Sequence, residues 1–457
     1  MIRLLNVYYP VRALVLLFCE ALLIAGSFLF AVTYVVGPDS YIALIYENGL
    51  LKIVGIAAIA LLLSYYFDLY EPQRISARWE IYFRLLLVVS VLAFVLAGLV
   101  YFVPGIEIGP NVLVVGTVIL AIVLIAWRTA YEWIIGLPWF RERVYVLGNG
   151  ESAVEVVRTL RNRRDAGMEV INSENNHEFT QELERLVEDC GASHRATKRV
   201  NRIVVAMENR RGSMPVRELL SLRLKGVVIE DAGSVMEKLT GRLPLEGLNP
   251  SSLIFSDGFN VKTSLQIQRR VISIGLASVA LIVCLPIVPF IVLAVRLSSP
   301  GPICFCQTRV GRSGRLFVLR KFRTMWKDAE ADGAVWATTN DPRITPLGRF
   351  MRQTRLDEIP QLWNVLRGDM SFVGPRPERP EFVQWLTNEI PYYDLRHMIR
   401  PGITGWAQVR YKYGASLEET KRKLEYDLYY VKHLSLGLDL LILFETIKTI
   451  LTQRGAQ

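Results

Sequence analysis

Cysteine and histidine are scarce, with five Cys and four His among 457 residues. Cys19 and Cys284 lie in apolar segments, Cys190 is isolated, and Cys304-Phe305-Cys306 alternates along a strand-like stretch. No Cys-x-x-Cys pair exists, which argues against a disulfide framework and a zinc site. His177 and His194 sit among polar residues without partners at metal spacing and read as surface residues. Also missing is any recognised nucleic-acid-binding signature, so the formal net charge of +10 points towards anionic lipid and phosphate ligands and no nucleic acid is expected as a partner.

What is abundant is apolar residues, 51% of the chain. Four runs, at residues 11–36, 49–70, 81–103 and 111–135, approach the ~20 residues that cross a bilayer, and they read as transmembrane helices. The first lacks a small-residue cleavage site and three similar runs follow it, which argues against a removable signal peptide. Arg3, Arg12, Arg74, Arg78 and Arg84 flank one side of the runs, whereas residues 37–48 and 104–110 hold no Lys or Arg. The positive-inside rule then puts both ends of the bundle in the cytoplasm, with Lys52 snorkelling at the outer end of the second span.

Residues 141–260 change character. Val144–Leu147 reads as a buried strand running into Gly148-Asn149-Gly150-Glu151-Ser152-Ala153 and a helix from Ala153 to Arg161, with later strands at Arg202–Ala206 and Gly226–Glu230. This is a shortened form of the phosphate-cradling turn of Rossmann-like α/β domains. The third glycine is absent, and residues 168–178 are too polar to place a second strand ending in an acid. The expectation is a degenerate Rossmann-like domain with a structural or regulatory role rather than a nucleotide site.

A further apolar stretch, 271–295, is bracketed by Arg269 and Arg270 before it and Arg296 after it. A straight helix of that length would reach ~37 Å, enough for a ~30 Å hydrocarbon core. Both ends are basic, however, and Pro286 and Pro289 interrupt the pattern.

The richest segment is Leu356-Asp357-Glu358-Ile359-Pro360-Gln361-Leu362-Trp363-Asn364-Val365-Leu366, followed by Gly368-Asp369-Met370-Ser371-Phe372-Val373-Gly374-Pro375-Arg376-Pro377. Leu362, Val365 and Leu366 recur at helical spacing, and Pro360 suits a first turn, so the two carboxylates are expected near a helix N-terminus whose N–H groups would hold them ionised. Arg349, Arg352, Arg355, Arg367, Arg376 and Arg379 surround them, a setting suited to polyanions. Asp369 is expected to pair with an arginine in a structural role.

In residue order this segment resembles the bacterial sugar transferase family, the polyprenyl-phosphate hexose-1-phosphate transferases. Lys321-Phe322-Arg323-Thr324-Met325, Asp341-Pro342-Arg343-Ile344-Thr345-Pro346-Leu347-Gly348-Arg349 and Arg400-Pro401-Gly402-Ile403-Thr404-Gly405-Trp406-Ala407-Gln408-Val409 extend the resemblance across residues 264–457. The apolar runs and middle segment resemble its large form by architecture. The resemblance implies a multi-domain, multi-pass membrane protein: a four-span α-helical bundle (1–140), a degenerate Rossmann-like α/β domain (141–260), and a mainly α-helical monotopic catalytic domain (261–457). It also implies that 271–295 is a re-entrant helix broken near Pro286, which keeps the catalytic motifs on the cytoplasmic face of the bacterial inner membrane. Where members of the family often place a serine before the breaking proline, Leu285 stands here.

For chemistry, the resemblance implies that Asp357 attacks the sugar-bearing phosphorus of a UDP-sugar, releases UMP and forms a phosphosugar-aspartyl intermediate, which polyprenyl phosphate then attacks. Glu358 is the expected ligand of magnesium, with manganese as the other hard cation. Lys321, Arg323, Arg352, Arg376 and Arg400 are phosphate-binding candidates, and the Pro375-Arg376-Pro377 turn would present its guanidinium to the nucleotide. Residues 417–433, with basic residues beside Leu424, Tyr426, Leu428, Tyr429 and Tyr430, read as a surface for the headgroup boundary. The large form is compatible with a homodimer. The competing reading is a non-catalytic scaffold or regulator of a polysaccharide assembly machine.

Overall fold

The computed structural model describes residues 1–71, 77–103, 109–171, 200–207, 214–246, 248, 250–255, 258–327, 329, 341–411 and 416–452. Arg74, His177, Cys190 and His194 lie outside the described residues. Contacts divide the chain into two units, Met1–Ile2 with Tyr8–Val235 and Arg3–Val7 with Met236–Gln457.

The first unit opens with helices α1 (Val11–Val36), α2 (Gly49–Tyr66), α3 (Arg78–Phe102) and α4 (Pro110–Gly136). Phe28, Leu92, Leu120 and Leu124 fill the space between them, while Phe18, Phe94 and Ile122 point outward. Helices apolar on both faces need an apolar surround. Gly116 lets α4 approach α1, because a Cβ there would stand 2.7 Å from the Phe28 ring. Two charges are buried inside: Glu20 pairs with Arg128 at 2.5 Å and accepts from the Tyr70 hydroxyl at 2.6 Å. Pairing offsets a desolvation cost that neither charge could bear alone.

The unit continues as β1 (Glu142–Leu147), α5 (Glu151–Asn162), β2 (Met168–Val170), β3 (Arg202–Val205), α6 (Val216–Leu224) and β4 (Val228–Asp231). The strands are parallel in the order β2-β1-β3-β4. Tyr145, Leu147, Ile203 and Val205 pack with Leu219 and Leu222 of α6. Gly148 is required after β1: its φ is +145° and a Cβ would meet the Ala206 carbonyl oxygen at 2.4 Å. Met168–Val170 is a strand despite its polarity, because parallel pairing with β1 satisfies its backbone.

In the second unit, α7 (Thr263–Cys284) and α8 (Val288–Ser298) are separated by a turn at Leu285–Ile287, where Pro286 cannot supply the N–H that would continue the helix. Among the described residues five helices are long and apolar enough to cross a membrane: Val11–Ile45, Gly49–Tyr66, Trp79–Phe102, Pro110–Gly136 and Thr263–Cys284. These features, with the parallel α/β region, make the chain a multi-domain membrane protein.

An antiparallel hairpin follows, β5 (Cys304–Val310) with β6 (Leu316–Phe322). Next come α9 (Pro346–Thr354), α10 (Gln361–Arg367), the short parallel pair β7 (Ser371–Val373) and β8 (Gly402–Thr404), then α11 (Leu417–Lys432) and α12 (Leu436–Leu451). Ala277 of α7 packs with Leu319, Leu362 and Val365, and Ile291 and Val295 of α8 pack with Phe322 and Met351. The two arms around Pro286 therefore grip the hairpin and the α9–α10 pair.

One expectation is corrected here. Leu424, Leu428, Tyr429 and Tyr430 are buried side by side, so this face of α11 is core rather than a surface for headgroups. Helical spacing marks an apolar face without saying what covers it.

The β7–β8 pair is as close as backbones allow. The Gly374 N–H donates to Thr404 and the Gly402 N–H to Pro375, and a Cβ on Gly402 would lie 2.1 Å from the Gly374 nitrogen. Gly402→Ala should therefore lower stability by about 1–3 kcal/mol, the range for overpacking, whereas Gly275→Ala, with open space around it, should not. Thermal unfolding of the two variants checks this; equal melting temperatures would refute it.

Candidate active site

Thr345 begins α9 by accepting the Gly348 N–H at 2.9 Å. The helix ends at Arg355, whose φ of 61° is left-handed for a non-glycine residue and swings the chain into a single 3-10 turn, Leu356–Glu358. Pro360 then leads into α10. The dyad thus sits just ahead of a helix, at its N-terminal end, and both carboxylates are buried, Asp357 at 6% exposure and Glu358 at 8%. Asn364 of α10 ties this helix to the hairpin, donating to the Val318 carbonyl at 2.8 Å and accepting from the Arg320 N–H at 3.3 Å.

Cationic side chains surround one oxygen of Glu358. Lys321 Nζ of β6 stands 3.3 Å from Oε1, Arg376 Nη2 3.3 Å and Arg355 Nη1 3.5 Å. Burial alone would raise the Glu358 carboxyl, but Lys321, Arg376 and Arg355 outweigh it and hold it at about 2. Asp357 goes the other way: burial, its largest influence, pushes it up, Glu358 adds to that, and Lys321, Arg352 and Arg376 oppose it. Burial lowers Lys321, against the pull of Glu358. Helix N–H groups are therefore not what sets these charges. Basic side chains hold Glu358 as the anion, whereas burial and the neighbouring Glu358 leave Asp357 with a raised affinity for protons.

Asp357 Oδ1 is buried and has no hydrogen-bond partner among the described residues. An orphaned carboxylate oxygen beside a permanently charged one is suited to a hard cation or an electrophilic phosphorus. The carboxylates fit magnesium in the usual manner, where one or two side chains share the ion with substrate phosphates; among the described residues no larger group of His, Cys, Asp or Glu stands ready to hold it.

The other candidates separate. Arg352 donates to the Thr324 hydroxyl at 3.0 Å and is close enough to act on Asp357. Arg323 is buried and donates to the carbonyls of Pro302 at 2.5 Å, Ser299 at 2.6 Å and Val295 at 3.3 Å, which closes the C-terminal end of α8. Arg400 donates to the Gly368 carbonyl at 3.0 Å, beyond the far end of α10. Asp369 lies 3.8 Å from Arg367. Asp341 is buried and clamps Arg343 at 2.6 Å.

Arg376 depends on partners that the sequence reading does not include. Arg396 donates to its carbonyl at 2.9 Å, to Asp427 at 2.9 Å and to the Tyr393 hydroxyl at 2.6 Å. Burial pushes Asp427 up to about 6, against the attraction of Arg396. Arg309 donates to the Pro377 carbonyl at 3.0 Å, and Pro375 accepts from Gly402. The legible signal was Asp427 itself, an acid on the apolar face of α11, which needs a buried cation.

The clamp on Glu358 has a pH signature. Its folded carboxyl lies near 2, below the ~4.3 of an unfolded chain, so its contribution to stability is complete above ~4.3 and is lost as pH falls towards 2. The melting-temperature gap between the protein and Glu358→Gln should be constant above ~4.3 and close below it. A gap independent of pH would show that Glu358 is not held ionised.

Comparison with known proteins gives the site its family. Residues 264–453 match the family model described as bacterial sugar transferase. A UDP-N-acetylgalactosamine-undecaprenyl-phosphate N-acetylgalactosaminephosphotransferase of Aeromonas hydrophila is 42% identical over 53% of this chain and 56% of its own length. A UDP-glucose:undecaprenyl-phosphate glucose-1-phosphate transferase of Escherichia coli is 34% identical over 68% of this chain and 70% of its own. An undecaprenyl-phosphate glucose phosphotransferase of Komagataeibacter xylinus is 31% identical over 69% and 60%. The chain thus spans between 56% and 70% of these relatives' lengths. On the Escherichia coli match and the family model together, the chain belongs to the bacterial sugar transferase family.

Proposed function

We propose that the protein transfers a sugar-1-phosphate from a UDP-sugar to a polyprenyl phosphate, with undecaprenyl phosphate as the carrier named for its relatives. The observation that carries this reading is the buried, unpartnered Asp357 oxygen beside a Glu358 clamped by Lys321, Arg376 and Arg355. In the first displacement an Asp357 oxygen bonds to the sugar-bearing phosphorus and the bond from that phosphorus to the oxygen of UMP breaks. UMP leaves with the electron pair, and an aspartyl phosphosugar remains. An oxygen of the lipid phosphate then bonds to the same phosphorus, the aspartyl bond breaks, and Asp357 returns as a carboxylate.

Lys321, Arg352 and Arg376 would neutralise phosphoryl oxygens, and the backbone supports of Arg376 would keep its guanidinium oriented. Magnesium, held by Glu358 and Asp357 together with substrate phosphates, would supply Lewis-acid stabilisation of that charge.

The membrane arrangement follows the same reading: four helices span the bacterial inner membrane, and α7–α8 enters and leaves on the cytoplasmic face. Supporting it, α8 has 11 residues and is too short to cross. Both arms pack on the α9–α10 pair, and the turn with the helix ends beside it exposes Ile282, Val283, Leu285, Ile287 and Phe290. The reaction would be the first membrane step of an exopolysaccharide, capsule or O-antigen.

Purified protein given a panel of UDP-sugars, magnesium and undecaprenyl phosphate should release UMP with a preferred sugar. Asp357→Asn should lower that rate at least ~10³-fold. No UMP with any sugar, or equal rates in the two proteins, would overturn the assignment. For topology, single cysteines can be placed in a chain whose native five are replaced by Ser. Asp39→Cys should react with an impermeant maleimide from outside, and Lys262→Cys and Ser313→Cys only after permeabilisation. Outside labelling of Ser313→Cys would mean that the α7–α8 segment crosses.

A further inference from the structure

Two groups of basic residues in the second unit flank α10, one at each end. The dyad and its cations stand before the helix, whose seven residues span ~10 Å. At the other end is a small pocket lined by Gln266, Arg269, Arg270, Arg312, Ser371 and Arg400, among others. The carboxylate motif does not explain this second group, because none of its arginines pairs with Asp357 or Glu358.

The four arginines differ in what already satisfies them. Arg269 is fully engaged, with Asp439 at 2.6 Å, the Val373 carbonyl at 2.9 Å and the Tyr430 hydroxyl. Arg270 donates to the carbonyls of Val365 and, at 2.7 Å, of Leu366, and Arg400 donates through Nε to Gly368. These bonds close the C-terminal end of α10, which accounts for one side of each guanidinium. Among the described residues no carboxylate lies within ion-pair reach of Arg270, Arg312 or Arg400, and the terminal nitrogens of Arg400 have no protein partner. Burial and the neighbouring Arg312, Arg270 and Arg269 all disfavour the charged form of Arg400. Like charges gathered around a pocket without an acid are stabilised by an anion.

The position of the pocket indicates where that anion comes from. Arg269 and Arg270 immediately precede Val271 and Ile272, which are exposed and open the apolar surface of α7. On the membrane reading this is the level of lipid headgroups, where guanidinium groups meet phosphate.

We propose that Arg270, Arg312 and Arg400 bind a phosphate oxyanion at a site separate from the Asp357–Glu358 centre, and that the phosphate belongs to an anionic lipid headgroup. The site does not depend on the transfer reaction; only its level in the bilayer rests on the membrane reading.

The test uses the full chain in phosphatidylcholine nanodiscs, with either phosphatidylglycerol or inorganic phosphate added. Lipid retained per chain is read by native mass spectrometry, and phosphate binding by thermal shift. One phosphatidylglycerol should be retained, its occupancy should fall about ten-fold in Arg312→Gln, and Arg312→Lys should recover most of it. Among the described residues Arg312 has no side-chain partner to lose, so its variants should fold. Arg376→Gln, at the opposite end of α10, should leave retention unchanged. Saturable stabilisation by inorganic phosphate, weakened by Arg312→Gln, without lipid retention would keep the oxyanion site and overturn the lipid source. Binding of neither probe, or binding lost in Arg376→Gln and unaffected by Arg312→Gln, would overturn the site itself.

Discussion

The carboxylate centre depends on the attraction of Lys321, Arg355 and Arg376 to a single oxygen of Glu358. A buried carboxylate is costly unless paired, and pairing with three cations from three chain segments keeps Glu358 an anion down to low pH. That fixed charge has two effects. It joins the hairpin, the turn after α9 and the Pro-Arg-Pro segment into one site, and it adds to burial, the larger cause, in raising the proton affinity of Asp357 beside it. Two adjacent acids thus acquire different properties, a common basis for dividing roles between paired carboxylates.

Around this centre, much of the family-like sequence serves to hold rather than to react. Asp341 clamps Arg343, Thr345 starts α9, Arg323 closes α8, and Arg396 with Asp427 fixes the carbonyl of Arg376. Position matters at such a site because a misplacement of about 1 Å can cost ~10²-fold in rate. The glycine contacts between β7 and β8 serve the same end, since they set the path of the chain into and out of Pro375-Arg376-Pro377.

In the proposed membrane arrangement, the broken helix would place this machinery beside lipid. Its arms have small buried faces towards the hairpin and the α9–α10 pair, and large exposed apolar faces elsewhere. On the proposed reaction, a lipid phosphate and a nucleotide sugar differ in solubility, and joining them would need a polar site at an apolar boundary. Arginines at both ends of α10 would then meet phosphate in two settings, one for chemistry and one for attachment.

Membrane class, the order of elements and the dyad were legible in the sequence because each rests on local pattern. Length and uniform apolarity mark the long helices, Pro286 marks the break, and adjacent Asp357 and Glu358 before Pro360 mark the start of α10. Strand β2 and the burial of Tyr429 and Tyr430 were not legible, because a strand held by its neighbour and a helix face covered by core have no local signature. The same holds for the arginines. Sequence alone determined that many guanidinium groups accompany two carboxylates; only the tertiary structure decided that Arg376 reaches Glu358, that Arg323 satisfies backbone carbonyls, and that Arg400 joins a separate cluster. The physical reason is range: a charge pair is fixed by distances of a few ångströms between segments remote in the chain, and those distances exist only once the chain has folded.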